Sequence, residues 1–344
     1  MVTFQNPGQA LWDNRHSVAK VIPRLESFFD AISSQSNMDM LPEDYPKLFA
    51  AVLAFRPDYV VEVGRLNGNS TCILTEAVQG IEKATVLSIC LTDHWFKRSL
   101  PKIGHLISPG WLGKLDARVI NLTDLDVERT LGDKERVLFI LDAHGWTVAE
   151  YTLGIVFPQL IRRKSLVLVH DIIIPAHWGE LRTKYYPNDP KKSGKIDTYA
   201  NKGIWKGDPK GDQFLFANDL AGSYPEFLAF VDFSERNKLK LQSVEEDIRR
   251  EIHELPERRK EMVGLLGERM YSPFSAYAWM DLNRLANSST LHFPKFEMPF
   301  SDSESQLVEQ LRDDLKRHNR RGRPSFLTLG RILTKILLRR YPMT

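Results

Sequence analysis

The chain has little cysteine, no excess of one charge, no long apolar run and no internal repeat, and each absence excludes something. Two cysteines, Cys72 and Cys90, match no metal-ligand spacing and are too few for a disulfide framework, so their sparse use fits a reducing cytoplasm. A formal net charge of +3 over 344 residues makes no case for nucleic acid as a partner. The opening residues, MVTFQNPGQALWDNRH, lack the basic leader and apolar core of a signal peptide, and no stretch reads as a membrane span. The expected class is a cytoplasmic globular protein. Its hydrophobic fraction of 42% and charged fraction of 26% suit that class, and its length allows one large domain with appendages, or two domains.

Two familiar nucleotide signatures are also missing. The stretch YVVEVGRLNGNST (59–71) reads as a buried strand, a glycine-bearing turn and the start of a helix. A dinucleotide fingerprint would place glycines at the positions held by Leu66 and Asn69, and a P-loop would place lysine where Asn69 stands. A diphosphate ligand is therefore disfavoured, and a nucleoside cofactor without one is left. Glu62, beside the turn, would repel phosphate and could accept hydrogen bonds from a cationic ligand or orient the turn backbone. Gly64 and Gly68 relieve the tight bend, while Asn69, Ser70 and Thr71 offer oxygens where the helix begins.

Along the chain, residues 1–16 read as irregular, 17–34 as a helix with Pro23 at an end or a kink, and 41–55 as a second helix. Strands follow at 59–63, 84–90, 117–121, 136–141 and 165–169, with a helix ending near Gly80, a loop with room for a short helix at 91–116, a polar helix at 123–134 and a helix at about 148–163 between them. That alternation predicts a doubly wound, Rossmann-like α/β fold with a mostly parallel seven-stranded sheet, closed by strands at 239–244 and 274–282. The expected division is an N-terminal helical segment at 1–57, a Rossmann-like domain at 58–282 and a C-terminal helical tail at 283–344. Within the domain, 176–212 is too long for an ordinary loop and reads either as a lid or substrate loop or as a partly disordered segment, 213–233 holds a helix, and 245–268 is a charged helical insertion.

Two strand ends carry a second group of polar residues. The fourth ends on Asp142-Ala143-His144 and the fifth on His170-Asp171, so a parallel sheet brings them to one edge. Each aspartate could equally cap the next helix. His94, His105 and His177 read as loop residues, and Trp95, Trp146 and Trp178 as packing or as walls for a sugar or aromatic acceptor.

With these motifs in order, VVEVGRLNGNST, LFILDAHG and LVLVHDI, the chain over about residues 40–175 resembles class I S-adenosylmethionine-dependent methyltransferases, especially the sugar and macrolide O-methyltransferase group. The resemblance implies cofactor contacts at Glu62, Gly64, Arg65, Asn67, Gly68, Ser70 and Thr71, and a hydroxyl of a small molecule or sugar as acceptor. It also implies a divalent cation, Mg or Mn, on Asp142, His170 and Asp171. The imidazole of His170 departs from an all-oxygen set and shifts preference from magnesium towards manganese, zinc or iron, or removes the metal. His144 would receive the acceptor's proton, with Asp142 beside it in the catalytic group. One departure concerns the second strand, which ends in Cys90 where the family usually has the acid that holds the ribose. Asp93, three residues on, is the expected substitute.

The tail segment SFLTLGRILTKILLRRY (325–341) is a basic amphipathic pattern. Docking on its own domain, on a partner subunit in a homo-oligomer, or on an anionic membrane surface are all open to it. Together with Cys90 it motivates the alternative of a noncatalytic Rossmann-like protein acting as a membrane-surface or partner-binding module.

Overall fold

Five consecutive parallel strands fix where polar side chains can converge. The computed structural model describes residues 4–33, 40–143, 146–170, 230, 233, 234, 236–286, 291 and 292. In it, α1 (Pro7–Ile32) and α2 (Asp44–Phe55) precede β1 (Tyr59–Val63), which leads through the glycine turn into α3 (Asn69–Val78). Then come β2 (Thr85–Cys90), β3 (Leu115–Val119), β4 (Arg136–Leu141) and β5 (Lys164–His170), followed by the short β6 (Gln242–Ser243), α4 (Pro256–Met270) and β7 (Tyr277–Asp281). The sheet order is β3-β2-β1-β4-β5-β7-β6, with β7 antiparallel to both its neighbours. The fold is thus α/β and Rossmann-like, with a mostly parallel seven-stranded sheet.

Register determines the functional edge. Val63 pairs with Ile89 on one side and Leu141 on the other, Leu141 pairs with Val169, and His170 pairs with Tyr277. The direction of connection reverses between β1 and β4, so the crevice of an open α/β sheet lies outside their C-terminal ends. All five residues of β1 are buried, as expected of a parallel strand covered on both faces. Leu11, Val18, Ile22 and Leu25 of α1 and Leu48 and Val52 of α2 join Val60, Leu138 and Leu168 of the sheet in one core.

Several elements differ from the sequence expectation for local reasons. Residues 7–16 are helical rather than irregular, because Asn6 caps the helix by accepting from the Gln9 N–H at 2.7 Å and Pro7 supplies a preset first turn. Pro23 sits inside this helix on its exposed side instead of ending it. β3 starts two residues early, and the 123–134 helix is a 3-10 turn (Leu122–Asp124) followed by a single helix at Val127–Leu131. β6 is only two residues long because Ser243 leaves the strand to cap the helix Val244–Ile248, accepting from the Glu246 N–H at 3.4 Å. The insertion is two helical runs, split before Pro256. Around Thr152–Val156 the helix after β4 widens to a π turn just before Pro158, which has no N–H to continue the regular ladder.

All of 176–212 and most of 213–233 and of the tail, including all of 325–341, lie outside the described residues, as do His177 and Trp178. The chain divides into two compact units, Met1–Pro294 and Lys295–Thr344, and the second is wholly outside the described residues. Among the described residues no helix is long and apolar enough to cross a membrane.

Where the insertion meets the sheet, Asp247 is buried and its carboxylate accepts from the Trp279 indole N–H at 2.6 Å and from Arg250 at 2.6 Å. Burial pushes this carboxyl above its ordinary range, and the two donors only partly offset that. Trp279→Phe removes one donor from a buried acceptor. It is expected to cost about 1–3 kcal/mol, read as a lower urea midpoint at pH 7 with little change in slope.

Candidate functional site

The backbone of the turn after β1 explains its glycines. Gly64 has φ of 101°, Leu66 of 42° and Gly68 of 88°, so three of five residues lie in the left-handed region. The Gly64 N–H donates to the Ile89 carbonyl at 2.9 Å, and the Asp142 N–H donates to the Val63 carbonyl at 2.7 Å, so β1 is held by both neighbours to its last residue. A side chain at Gly64 would collide with the Asp142 carbonyl, and one at Gly68 with the buried ring of Trp95. Trp95 is therefore packing against the turn and not an acceptor wall. Leu66 pays the left-handed cost without being glycine, at an exposed position where a dinucleotide fingerprint has its second glycine.

Inside the turn, Glu62 is fully buried and gathers three hydroxyls. Thr71 donates to Oε2 at 2.5 Å, and Ser70 and Ser88 donate to Oε1 and Oε2. Burial raises the pKa of this carboxyl, while the hydroxyl bonds and the Arg65 charge pull the other way. The Ser70 and Thr71 hydroxyls thus face the protein. What the start of α3 can present to a ligand is its backbone N–H groups and the positive end of its dipole. Asn67 is buried, and Asn69 accepts from Tyr45 Oη at 2.5 Å and from Ser33 Oγ at 3.2 Å.

Arg65 turns away from the open crevice. Its guanidinium is buried and donates to the Ser88 carbonyl at 2.5 Å, to Ser88 Oγ at 3.1 Å and to the Arg118 carbonyl at 3.1 Å. Phe96 covers it, with the guanidinium carbon 5.6 Å from the ring centre. Burial lowers the Arg65 pKa, against the pull of Glu62 and Cys90. At the end of β2 the Cys90 thiol lies 3.5 Å from Thr92 Oγ1. Asp93 pairs with Lys97 at 2.5 Å, which holds its carboxyl below the usual range.

At the neighbouring strand ends, Asp142 and His170 meet. Oδ1 of Asp142 and Nδ1 of His170 are 2.9 Å apart, and the imidazole, itself buried, packs at a tilt of 51° against the Tyr277 ring with ring centres at 4.6 Å. A carboxylate bonded to one ring nitrogen fixes the orientation of the imidazole and, when the ring is neutral, its tautomer. His144 and Asp171 lie outside the described residues, as does the side chain of Trp146. Among the described residues no group of three His, Cys, Asp or Glu is placed to hold a metal. Asp142 and His170 bond each other, and a cation taking that carboxylate oxygen and ring nitrogen as ligands would have to replace this bond.

Several residues at the site carried no signal in the sequence. Ser88, in mid-strand, joins Glu62 to Arg65. Tyr45 and Lys47 of α2 reach the crevice edge, through Asn69 and through the carbonyl of Phe274 just before β7. Ser88 shows in the sequence only as a polar residue inside the apolar run of β2, whose four central residues are all buried.

Two outcomes follow from this geometry. Gly64→Ala sets a side chain against the Asp142 backbone in a left-handed conformation and is expected to cost on the order of 3 kcal/mol, measured by chemical denaturation. Glu62→Gln addresses charge. Because folding raises the Glu62 pKa, its contribution to stability is complete below the ordinary glutamate range and is lost as pH rises through the folded value. The stability of wild type relative to Glu62→Gln is therefore expected to fall as pH is raised from about 4, and a flat difference would contradict a carboxyl whose burial outweighs its hydrogen bonds.

No protein-family model matches the chain, and no curated protein matches it in sequence. Among solved structures it is similar to cofactor-bound Rv0187 from MTB, with 16% identity over 64% of this chain and 84% of that one and a TM-score of 0.39. It is also similar to the O-methyltransferase TomG from Streptomyces achromogenes in complex with SAM, with 14% identity over 52% and 77% of the two chains and a TM-score of 0.34. An O-methyltransferase from Bacillus cereus in complex with SAH shows 14% identity over 53% and 77%, with a TM-score of 0.33.

Proposed function

We propose that the chain is an S-adenosylmethionine-dependent O-methyltransferase acting on a hydroxyl of a small molecule or sugar. The observation that carries this reading is the placement of the Asp142–His170 pair at the strand ends beside a glycine turn built around a buried glutamate. A turn of this kind disfavours a diphosphate and suits a nucleoside whose other end carries an amino acid. In methyl transfer the acceptor oxygen displaces the sulfonium in line, so a C–O bond forms as the S–C bond breaks, and the acceptor's proton must leave. The protein's work is then to align the oxygen with the methyl group, exclude water and receive that proton.

His144 follows Asp142 by two residues and is the proposed base; the Asp142–His170 pair supplies an oriented imidazole on the same edge. Gly64, Asn67, Gly68 and the N–H groups opening α3 would hold the methionine end of the donor, and Arg65 would support the turn from behind. A divalent cation, Mg or Mn, is a further proposal on Asp142, His170 and Asp171. It would lower the pKa of the acceptor hydroxyl, at the expense of the Asp142–His170 bond. The protein is proposed to work in the cytoplasm, with 176–212 closing over the acceptor and 325–341 as a subunit or membrane contact.

A second reading, a cofactor-poor Rossmann-like binding module, is favoured by one observation. The end of β2 offers a thiol, and the nearby Asp93 carboxylate is paired with Lys97. Calorimetric titration of the full chain with S-adenosylmethionine separates the two. Binding in the micromolar to sub-millimolar range, about −5 to −8 kcal/mol, is expected, and no heat at millimolar ligand would leave only the binding-module reading. Unchanged binding with chelator present, followed by unchanged turnover on an identified acceptor, would remove the metal.

A further inference from the structure

The start of α2 carries charges buried in a place that the sequence did not mark as a site. Asp44 has no exposed surface and Lys47 almost none. Lys47 Nζ donates to Asp44 Oδ1 at 3.3 Å and to the carbonyl of Phe274. One residue along, Tyr45 donates through its hydroxyl to Asn69 Oδ1 at 2.5 Å. Asn69 opens α3 directly after the glycine turn, and Phe274 lies three residues before Tyr277, whose ring packs at a tilt against His170. The first turn of α2 therefore bonds to both walls of the crevice, and Asp44 belongs to that turn.

A carboxylate in such a place needs donors. Asp44 Oδ1 has a single long bond from Lys47, and Oδ2 is buried with no hydrogen-bond partner among the described residues. The Lys47 ammonium is shared between Asp44 Oδ1 and the Phe274 carbonyl, and none of its bonds reaches Oδ2. Glu43, immediately before it, is equally buried. A buried acceptor left open, in a turn bonded to both walls of a ligand crevice, calls for a donor that brings positive charge with it.

We infer that Asp44 is the counter-ion for a primary ammonium on the ligand seated in this crevice. Resting on the methyltransferase reading above, that ammonium is the one at the amino-acid end of the donor. Its carboxylate neighbour would then fall towards the N–H groups of α3, where an anion is favoured. The two ends of one zwitterionic group are read by two different helices. No covalent step is involved.

Three ligands decide it, titrated into the full chain by calorimetry: S-adenosylhomocysteine, its deaminated analogue and 5′-methylthioadenosine, which lacks the amino acid altogether. In wild type the deaminated analogue is expected to bind at least about tenfold more weakly than S-adenosylhomocysteine. In Asp44→Asn that ratio shrinks towards one, while 5′-methylthioadenosine binds as in wild type. Should Asp44→Asn fail to fold by circular dichroism, Asp44→Glu, which keeps the charge but moves the oxygens, is expected to reduce the ratio as well. Equal affinity of wild type for the aminated and deaminated ligands would overturn the inference, as would an unchanged ratio in a folded variant. Failure of wild type to bind any of the three overturns the methyltransferase reading itself, a different result from binding without discrimination.

Discussion

The site depends on burying one carboxylate. Glu62 lies in the middle of a strand covered on both faces, where a lone charge would be expelled, and it is kept there by hydroxyls from two other elements. Ser70 and Thr71 belong to the first turn of α3, and Ser88 to β2. Each bond therefore ties the turn to something outside it: the strand to the helix that follows, and the strand to its neighbour. Desolvation works against this arrangement and the three hydroxyls work for it, in a space closed to solvent. A glutamate so enclosed has no freedom to follow a ligand, so it acts as the fixed point around which the turn is bent.

That fixed point is transmitted along the sheet edge by close backbone contact. Gly64 has no side chain, so β4 can pass close enough for Asp142 to begin its own turn against the last residue of β1. Asp142 then reaches His170 one strand further, and His170 rests on Tyr277 of the antiparallel strand beyond. Four strands thus contribute consecutive members of one line of polar groups. Because neighbouring strands lie about 4.8 Å apart, the line spans the width of a small ligand. Helix α2 closes it from above through Tyr45 and Lys47.

Sequence pattern was sufficient for the sheet, since short apolar runs of Val, Ile and Leu bounded by Gly, Asp and Asn define β1, β2, β4 and β5 within a residue or two. It also identified the turn, and it put Asp142 and His170 on one edge because parallel strands leave no other place for their ends. It was less informative where a single side chain decides a boundary. Asn6 and Ser243 each convert a few residues from one state to another by capping a helix, and a cap is a local bond that periodicity does not register. Roles were harder still. Arg65 and Glu62 both stand at the turn, and the resemblance implied a cofactor contact for each. The register that places Ser88 beside them turns Glu62 inward and directs Arg65 behind the strand. Asp44 and Lys47 had no motif at all, because their position depends on a helix packing across the crevice from more than twenty residues away in sequence.

The same register makes sense of Cys90. Arg65 donates to the carbonyls of Ser88 in β2 and Arg118 in β3, close to position 90, where the resemblance implied an acid. An acid at position 90 would compete for that guanidinium, whose electrostatic environment already includes the Cys90 thiol. Pulled into an ion pair, Arg65 would release the backbone of β2 and β3 and loosen the turn it braces. A thiol makes no such demand. Cys90 and Arg65 are in this sense one choice: the chain gives up an acceptor at the end of β2 and gains a rigid brace under the glycine turn. A nucleoside lying here would meet Cys90, the exposed Leu91 and the ring of Phe96, a surface that offers contact area more than directed hydrogen bonds. The directed contacts then shift to the opposite end of the crevice, where the opening of α3 and the buried carboxylate of α2 stand.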